Sequence, residues 1–412
     1  MALISLLDDR ARPKGTRDPL GFEMVWTHFG RKVVGNLTTI TKSWRIFAVG
    51  LLGFHWVNQI YRDEYPGKQS DKQRLLQEHF IRYEQLAAYL RFKSGDEDIM
   101  GITRVRRRMD EGKHFISIGL EKENLILSDQ VNYGIWGMYS TALRETGLVY
   151  GDYRELTENG LELVKKIEEG LDKNWYKAII CGKSEGVLDK DLVKETQRYM
   201  EAITNQTVKS NLIHALLEGS GGPTGTSECQ KAMHEACLKM GQNFLAGVDL
   251  QGFIKAVESR ADSLILKQAL RDIQNIERLL VTANTLFGYC RRRDGVALSE
   301  VANKIVSTYD NFDYLPDSPD LDGCPYRDDV EKIHGLLRTN DVEVALQAML
   351  TLNKRVMDGR GGAPWVEEQG GKLRVRIKSE KASLISREKL QNIWHYDYFL
   401  RSYAHIAAIE AQ

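Results

Sequence analysis

Arg104, Arg106, Arg107 and Arg108 fall together in GITRVRRRMDEGKHFISIGL, and the chemistry that such a density of guanidinium offers is contact with phosphate. The same pattern also describes a solvated basic face. Arg144 and Arg154 follow in GIWGMYSTALRETGLVYGDYRELTENGLELVKKIEE, a stretch whose own fold decides whether they are presented to a ligand. A second run, Arg291, Arg292 and Arg293, closes a long helical pattern before Asp294-Gly295. Cations there complement the negative end of a helix dipole without any ligand. Either run suits backbone phosphate rather than base edges.

Other chemistries are less well supported. GSGGPTGTS has the glycine content that lets backbone N–H groups converge on an anion. It lacks the lysine and the preceding strand of a GxxxxGK[ST] loop, so a flexible connection between helices is expected. SPDLDGCPYRDD places Ser318, Asp320, Asp322, Gly323 and Asp329 at calcium-loop spacing. The serine, the final aspartate and Pro325 all depart from that pattern, which favours a solvated acidic loop. The histidines make no metal-spaced pair with a third ligand, and neither a metal nor any other cofactor is expected. Cys290, in GYCRRRDG, has an electropositive setting but no base beside it, so a buried structural thiol is the expectation. No catalytic residue is assigned.

The elements that must position the arginines are mainly helical. Between Gly21 and Tyr61 two helices are expected, the second capped by Thr38, Thr39 or Thr41 and carrying the apolar run IFAVGLLGFHWV. SDKQRLLQEHFIRYEQLAAYLRFK reads as an amphipathic helix capped by Ser70 or Asp71. Helical spacing from Ile135 through Leu143 predicts a single helix ended by Gly147. LVY and RELT then flank Gly151-Asp152 as a hairpin, and Thr157 caps a helix with Leu161, Leu163, Val164 and Ile167 on its apolar face. Helix, short hairpin, threonine-capped helix is the order found at the end of a winged helix-turn-helix domain. Helices continue from about Leu188 to Thr308. A further helix near Asp341 to Val356, a hairpin turning at Gly370-Gly371 and one closing helix from Ser386 follow.

The fold class expected is therefore mainly α with small β elements, a winged helix-turn-helix region followed by an α-helical bundle. The expected segments are 1–120, helical with the basic cluster; 121–182, winged-helix-like; 183–308, the bundle; and 309–412, the acidic loop, helix, hairpin and closing helix. A length of 412 residues suits more than one core. Lysine plus arginine equal aspartate plus glutamate at 57 each, which excludes a general polyanion coat but not a local basic face. Cys181, Cys229, Cys237, Cys290 and Cys324 are dispersed and odd in number, as in a reduced cytoplasmic chain. The most apolar run is too short to span a bilayer, and neither a secretory signal nor a membrane partner is expected.

Three stretches, KGTRDPLGFEMVWTHFGRKVVGNLTTITKSWRIFAVGLLGFHWV, QVNYGIWGMYSTALRETGLV and GRGGAPWVEEQGGKLRVR, resemble a poorly characterised family of bacterial proteins from phage-defence islands, hypothetical proteins near helicase or nuclease genes. The resemblance implies a bacterial cytoplasm and a multi-gene system in which partners perform the chemistry. It transfers no catalytic residue. With the basic clusters, it leads to the expectation of a non-catalytic DNA-binding or adaptor subunit of an anti-phage defence complex, with Arg104, Arg106, Arg107, Arg108, Arg144 and Arg154 on DNA. The alternative is a nuclease or other enzyme of the same system, its active site gathered only by folding.

Overall fold

The computed structural model describes residues 17–67, 69–110, 115–219, 227–317, 320–379 and 382–411. They are mainly helical, with small two-stranded antiparallel sheets. No helix among them is long and apolar enough to cross a membrane. The chain divides into two compact units, one of residues 33–266 and 399–412, the other of residues 1–32 and 267–398.

The first unit is organised around helices Arg45–Glu64 and Lys72–Lys93. The run IFAVGLLGFHWV is apolar on every face of its helix, and almost every residue in it is buried, as expected of a helix enclosed by others. Gly53 lets the two helices approach, since a Cβ there would fall 2.3 Å from the Tyr83 ring. Tyr83 also donates its hydroxyl to Val49 O at 2.9 Å. Thr38 and Thr41 pair with each other at 3.0 Å rather than capping this helix; the first amide, Arg45 N, goes to Ser43 Oγ at 3.1 Å. Asp71 stands at the N-cap of the next helix without a side-chain bond to it.

The stretch expected as one helix from Ile135 follows the turn Gln130–Tyr133 and is instead two short helices, Ile135–Met138 and Ser140–Glu145. Gly147 ends the last in the left-handed region, φ +69. The hairpin then forms as expected, with Val149 opposite Leu156 and Tyr150 opposite Glu155. Its loop, Gly151 to Arg154, is longer than a two-residue turn, and both ends have positive φ. Thr157 Oγ1 accepts Gly160 N at 3.2 Å and caps helix Glu158–Glu168. Ile135, Tyr139, Leu143, Leu148, Leu156, Leu163 and Val164 are buried, and Leu161 is half-buried. A strand pair with no sequence signal, Phe115–Ser117 against Gly186–Leu188, joins segments far apart in the chain.

In the second unit, helices Phe22–Arg31, Leu298–Tyr309, Arg327–Arg338 and Val342–Gly359 accompany most of the long helix Leu264–Cys290. The hairpin Val366–Gln369 and Lys372–Val375 turns at Gly370 and Gly371, both at positive φ. Asn353 is fully buried. It donates to Pro19 O at 2.8 Å and accepts Trp365 N at 2.8 Å, tying three segments together. The closing helix expected from Ser386 is broken. Arg387–Asn392 ends before a non-helical stretch, and the next helix, Leu400–Glu410, belongs to the first unit. Glu277 accounts for part of the break, because it accepts the amides of His395 and Tyr396 and the Tyr398 hydroxyl.

Candidate functional site

The arginines of the first basic cluster lie on helix Ile102–Asp110, and their environments differ. Arg104 Nη1 donates to Leu125 O at 3.1 Å. Arg108 donates to the Tyr89 hydroxyl at 2.9 Å, to Asn124 O at 2.6 Å, to Leu125 O at 3.0 Å and to Glu123 O. These two side chains therefore hold the loop at 123–125 by its carbonyls. Arg106 is exposed and pairs with Glu97 at 2.6 Å, and Arg107 is exposed.

Arg144 and Arg154 are brought together at the hairpin. Arg154 lies over the Trp136 ring at 4.1 Å and donates from Nε to Ser140 Oγ at 2.8 Å. Burial, helped by repulsion from Arg144, lowers its pKa to about 10. Arg144 faces the exposed Asp152 at 3.8 Å. The surroundings of the two groups of arginines are tied to helix Arg45–Glu64 at different residues. Asp96, next to the partner of Arg106, pairs with Arg45 at 3.5 Å, whereas the hairpin is held by Asn58 Nδ2 donating to Tyr153 O at 3.0 Å. From Arg45 to Asn58 the helix rises roughly 20 Å.

A second constellation lies where helices Glu158–Glu168 and Gln206–Glu218 face each other across a cavity of about 320 Å³. Each helix contributes one face: Asn159, Glu162 and Lys166 from the first, Asn211, His214 and Glu218 from the second. Asn205 caps the second helix by accepting Thr207 N at 2.9 Å. Its far end is fixed by Gln230 Nε2, which donates to Leu216 O at 2.5 Å, and by Tyr403, which donates to Leu217 O at 2.8 Å. From the cavity a chain of side chains runs inward. His214 Nε2 is 3.3 Å from Glu218 Oε2, Glu218 Oε1 is 3.3 Å from His234 Nδ1, and His234 Nε2 is 2.6 Å from Glu410 Oε2. His234 is only 5% exposed. The carboxylates orient both imidazoles, and His214 is left at the cavity as a group able to accept or deliver a proton. Of this chain the sequence carries only the local His214-x-x-x-Glu218 spacing; His234 and Glu410 arrive from distant segments.

The remaining motifs take structural positions. Asp329 pairs with Arg355, and Asp322 N donates to Asp320 Oδ1 at 2.9 Å. Among the described residues no group of histidine, cysteine or acidic side chains is arranged to hold a metal ion. Burial pushes the Cys290 thiol up to about 12, which removes its nucleophilic form near neutrality. Ser220 to Thr226 of the glycine-rich loop, and Ser318, lie outside the described residues. No protein-family model, curated protein or solved structure matches this chain.

Proposed function

We propose that the chain is a non-catalytic DNA-binding or adaptor subunit of a bacterial anti-phage defence complex, working in the cytoplasm with partners such as a helicase or nuclease. One observation supports the reading: short turns, a hairpin and a Thr157-capped helix follow one another in the chain, with Arg144 at the hairpin. Arg106 and Arg107, exposed on helix Ile102–Asp110, would meet further phosphates of the same backbone. Arg104, Arg108 and Arg154 would act indirectly, by holding the loop and the hairpin in shape. Each phosphate contact lowers the slope of log affinity against log salt by about 0.9 for duplex DNA. Changing Arg106, Arg107 and Arg144 together to alanine should therefore flatten that slope by about 2 to 3 in a fluorescence-anisotropy salt titration. An unchanged slope and affinity in the folded variant would assign these side chains to solvation.

A second reading, an enzyme of the same system, is favoured by the His214–Glu218–His234–Glu410 chain at its cavity, since a carboxylate-braced imidazole is the arrangement of a general base. DNA cleavage by the purified chain that disappears in His214→Ala and persists in the triple arginine variant would replace the non-catalytic reading with this one.

A further inference from the structure

The second arginine run divides by partner. Arg291 lies over the Trp365 ring at 4.4 Å and donates to Ile377 O at 3.0 Å and Lys378 O at 3.3 Å. Arg292 Nη1 donates to Ala382 O at 3.1 Å. Both thus hold the segment that follows the Val366–Val375 hairpin. Arg293 differs. Its guanidinium stacks on Tyr289 at 4.4 Å and Nη2 donates to the Tyr289 hydroxyl at 2.6 Å, while Nε is buried without an acceptor among the described residues.

Arg293 lines a cavity of about 460 Å³ with Tyr289, Glu300, Asn303, Lys304 and Ser307. Asn303 and Lys304 are exposed, and Ser307 donates to Lys304 O at 2.9 Å. Arg293, Lys304 and Asn303 thus line one concavity, with Glu300 as the single carboxylate in its lining, so the lining favours an anion. Its volume lies within the range of small-ligand sites and exceeds the needs of a bare oxyanion. Donors of these types suit the oxygens of a phosphoryl group, and Glu300, in the same lining, can accept from hydroxyl groups.

We infer that this cavity binds the phosphoryl group of a small hydroxylated phosphate monoester, such as a nucleotide or sugar phosphate, through Arg293, Asn303 and Lys304. The site lies wholly within residues 267–398, so it stands or falls independently of DNA contact at Arg106, Arg107 and Arg144. The test is isothermal titration of the full chain with AMP, ribose 5-phosphate, inorganic phosphate, adenosine and a short DNA duplex. AMP and ribose 5-phosphate should bind and adenosine should not. Lys304→Gln and Arg293→Lys should each weaken AMP by about tenfold or more. Glu300→Gln should tighten inorganic phosphate by about threefold, because a nearby negative charge is removed. The triple arginine variant should bind AMP as the parent does. Lys304 and Glu300 are exposed, so their variants test the idea even if Arg293→Lys fails to fold. The assignment is overturned if no phosphate compound binds, if affinity is indifferent to Lys304→Gln and Glu300→Gln, or if only the duplex responds to these changes.

Discussion

Glu84 Oε1 accepts the backbone N–H of Ile135 at 2.6 Å, joining the middle of helix Lys72–Lys93 to the turn that precedes the hairpin. Gln130 Nε2 donates to the other oxygen at 2.8 Å. Gly134 leaves room for this bond, since a Cβ there would lie 2.4 Å from Glu84 Oε2. A carboxyl enclosed by protein is thus the cap of a helical turn 51 positions further along the sequence.

The buried position of Glu84 sets a pH dependence. Burial raises its pKa to about 7 from an ordinary 4.5, against the opposing bonds from Ile135 and Gln130. Between those values the folded state holds a proton that the unfolded state has released, so stability falls as pH rises from 4.5 to about 7. The contribution is about 3 kcal/mol. Urea midpoints measured at pH 5 and pH 8 should differ in this direction, and Glu84→Gln should reduce the difference. An undiminished difference in that variant would place the titration elsewhere, with Glu277, also raised to about 7 by burial, as the next group to change.

Glu168 should behave in the opposite sense. Burial pushes its carboxyl up, but bonds from His55, Lys173 and Trp56 outweigh this and bring it down to about 2. Its stabilisation is complete above 4.5 and is lost as pH falls from there towards 2. Glu168→Gln should lower the melting temperature at pH 7 by roughly 4–8 °C, for a loss of about 2 kcal/mol, and should make the acid limb of the stability curve shallower. Calorimetry from pH 3 to pH 7 checks both effects.

Arg154 and Arg106 should separate in stability as well as in binding. Arg154 is half-buried, stacked on Trp136 and bonded to Ser140, so Arg154→Ala should cost about 1–3 kcal/mol. Arg106→Ala removes an exposed ion pair and should cost under about 1 kcal/mol. Denaturant titration of the two single variants tests the contrast; equal costs would mean that the hairpin does not depend on the Arg154 stack.

The sequence was informative where structure follows from neighbours. Gly147, the Val149–Leu156 hairpin, the Thr157 cap and the Gly370-Gly371 turn are each determined by a few adjacent residues, and all form. Some of the expectations that failed did so because of residues far away in the sequence. The helix read as continuous from Ser386 is interrupted where a buried glutamate from another helix, Glu277, takes the backbone N–H groups of His395 and Tyr396, and Glu84 in the same way fixes the start of the turn at Ile135. Helical periodicity carries no mark of such a competitor. The same holds for Arg104 and Arg108, whose carbonyl partners lie at 123–125, and for His234, whose second carboxylate is at Glu410.

Tyr403 donates to Leu217 O and Gln230 O, and helix Leu400–Glu410 packs on helices drawn from residues 206–260. A ribosome reaches this helix only after making the roughly 130 residues of the other unit, a delay on the order of ten seconds at about 5–20 residues per second. Meanwhile the surface that will receive Leu400, Tyr403 and Ile406 stands open on the nascent chain. A chaperone or an early partner would have its longest opportunity there, and a pause in translation before residue 400 would lengthen it.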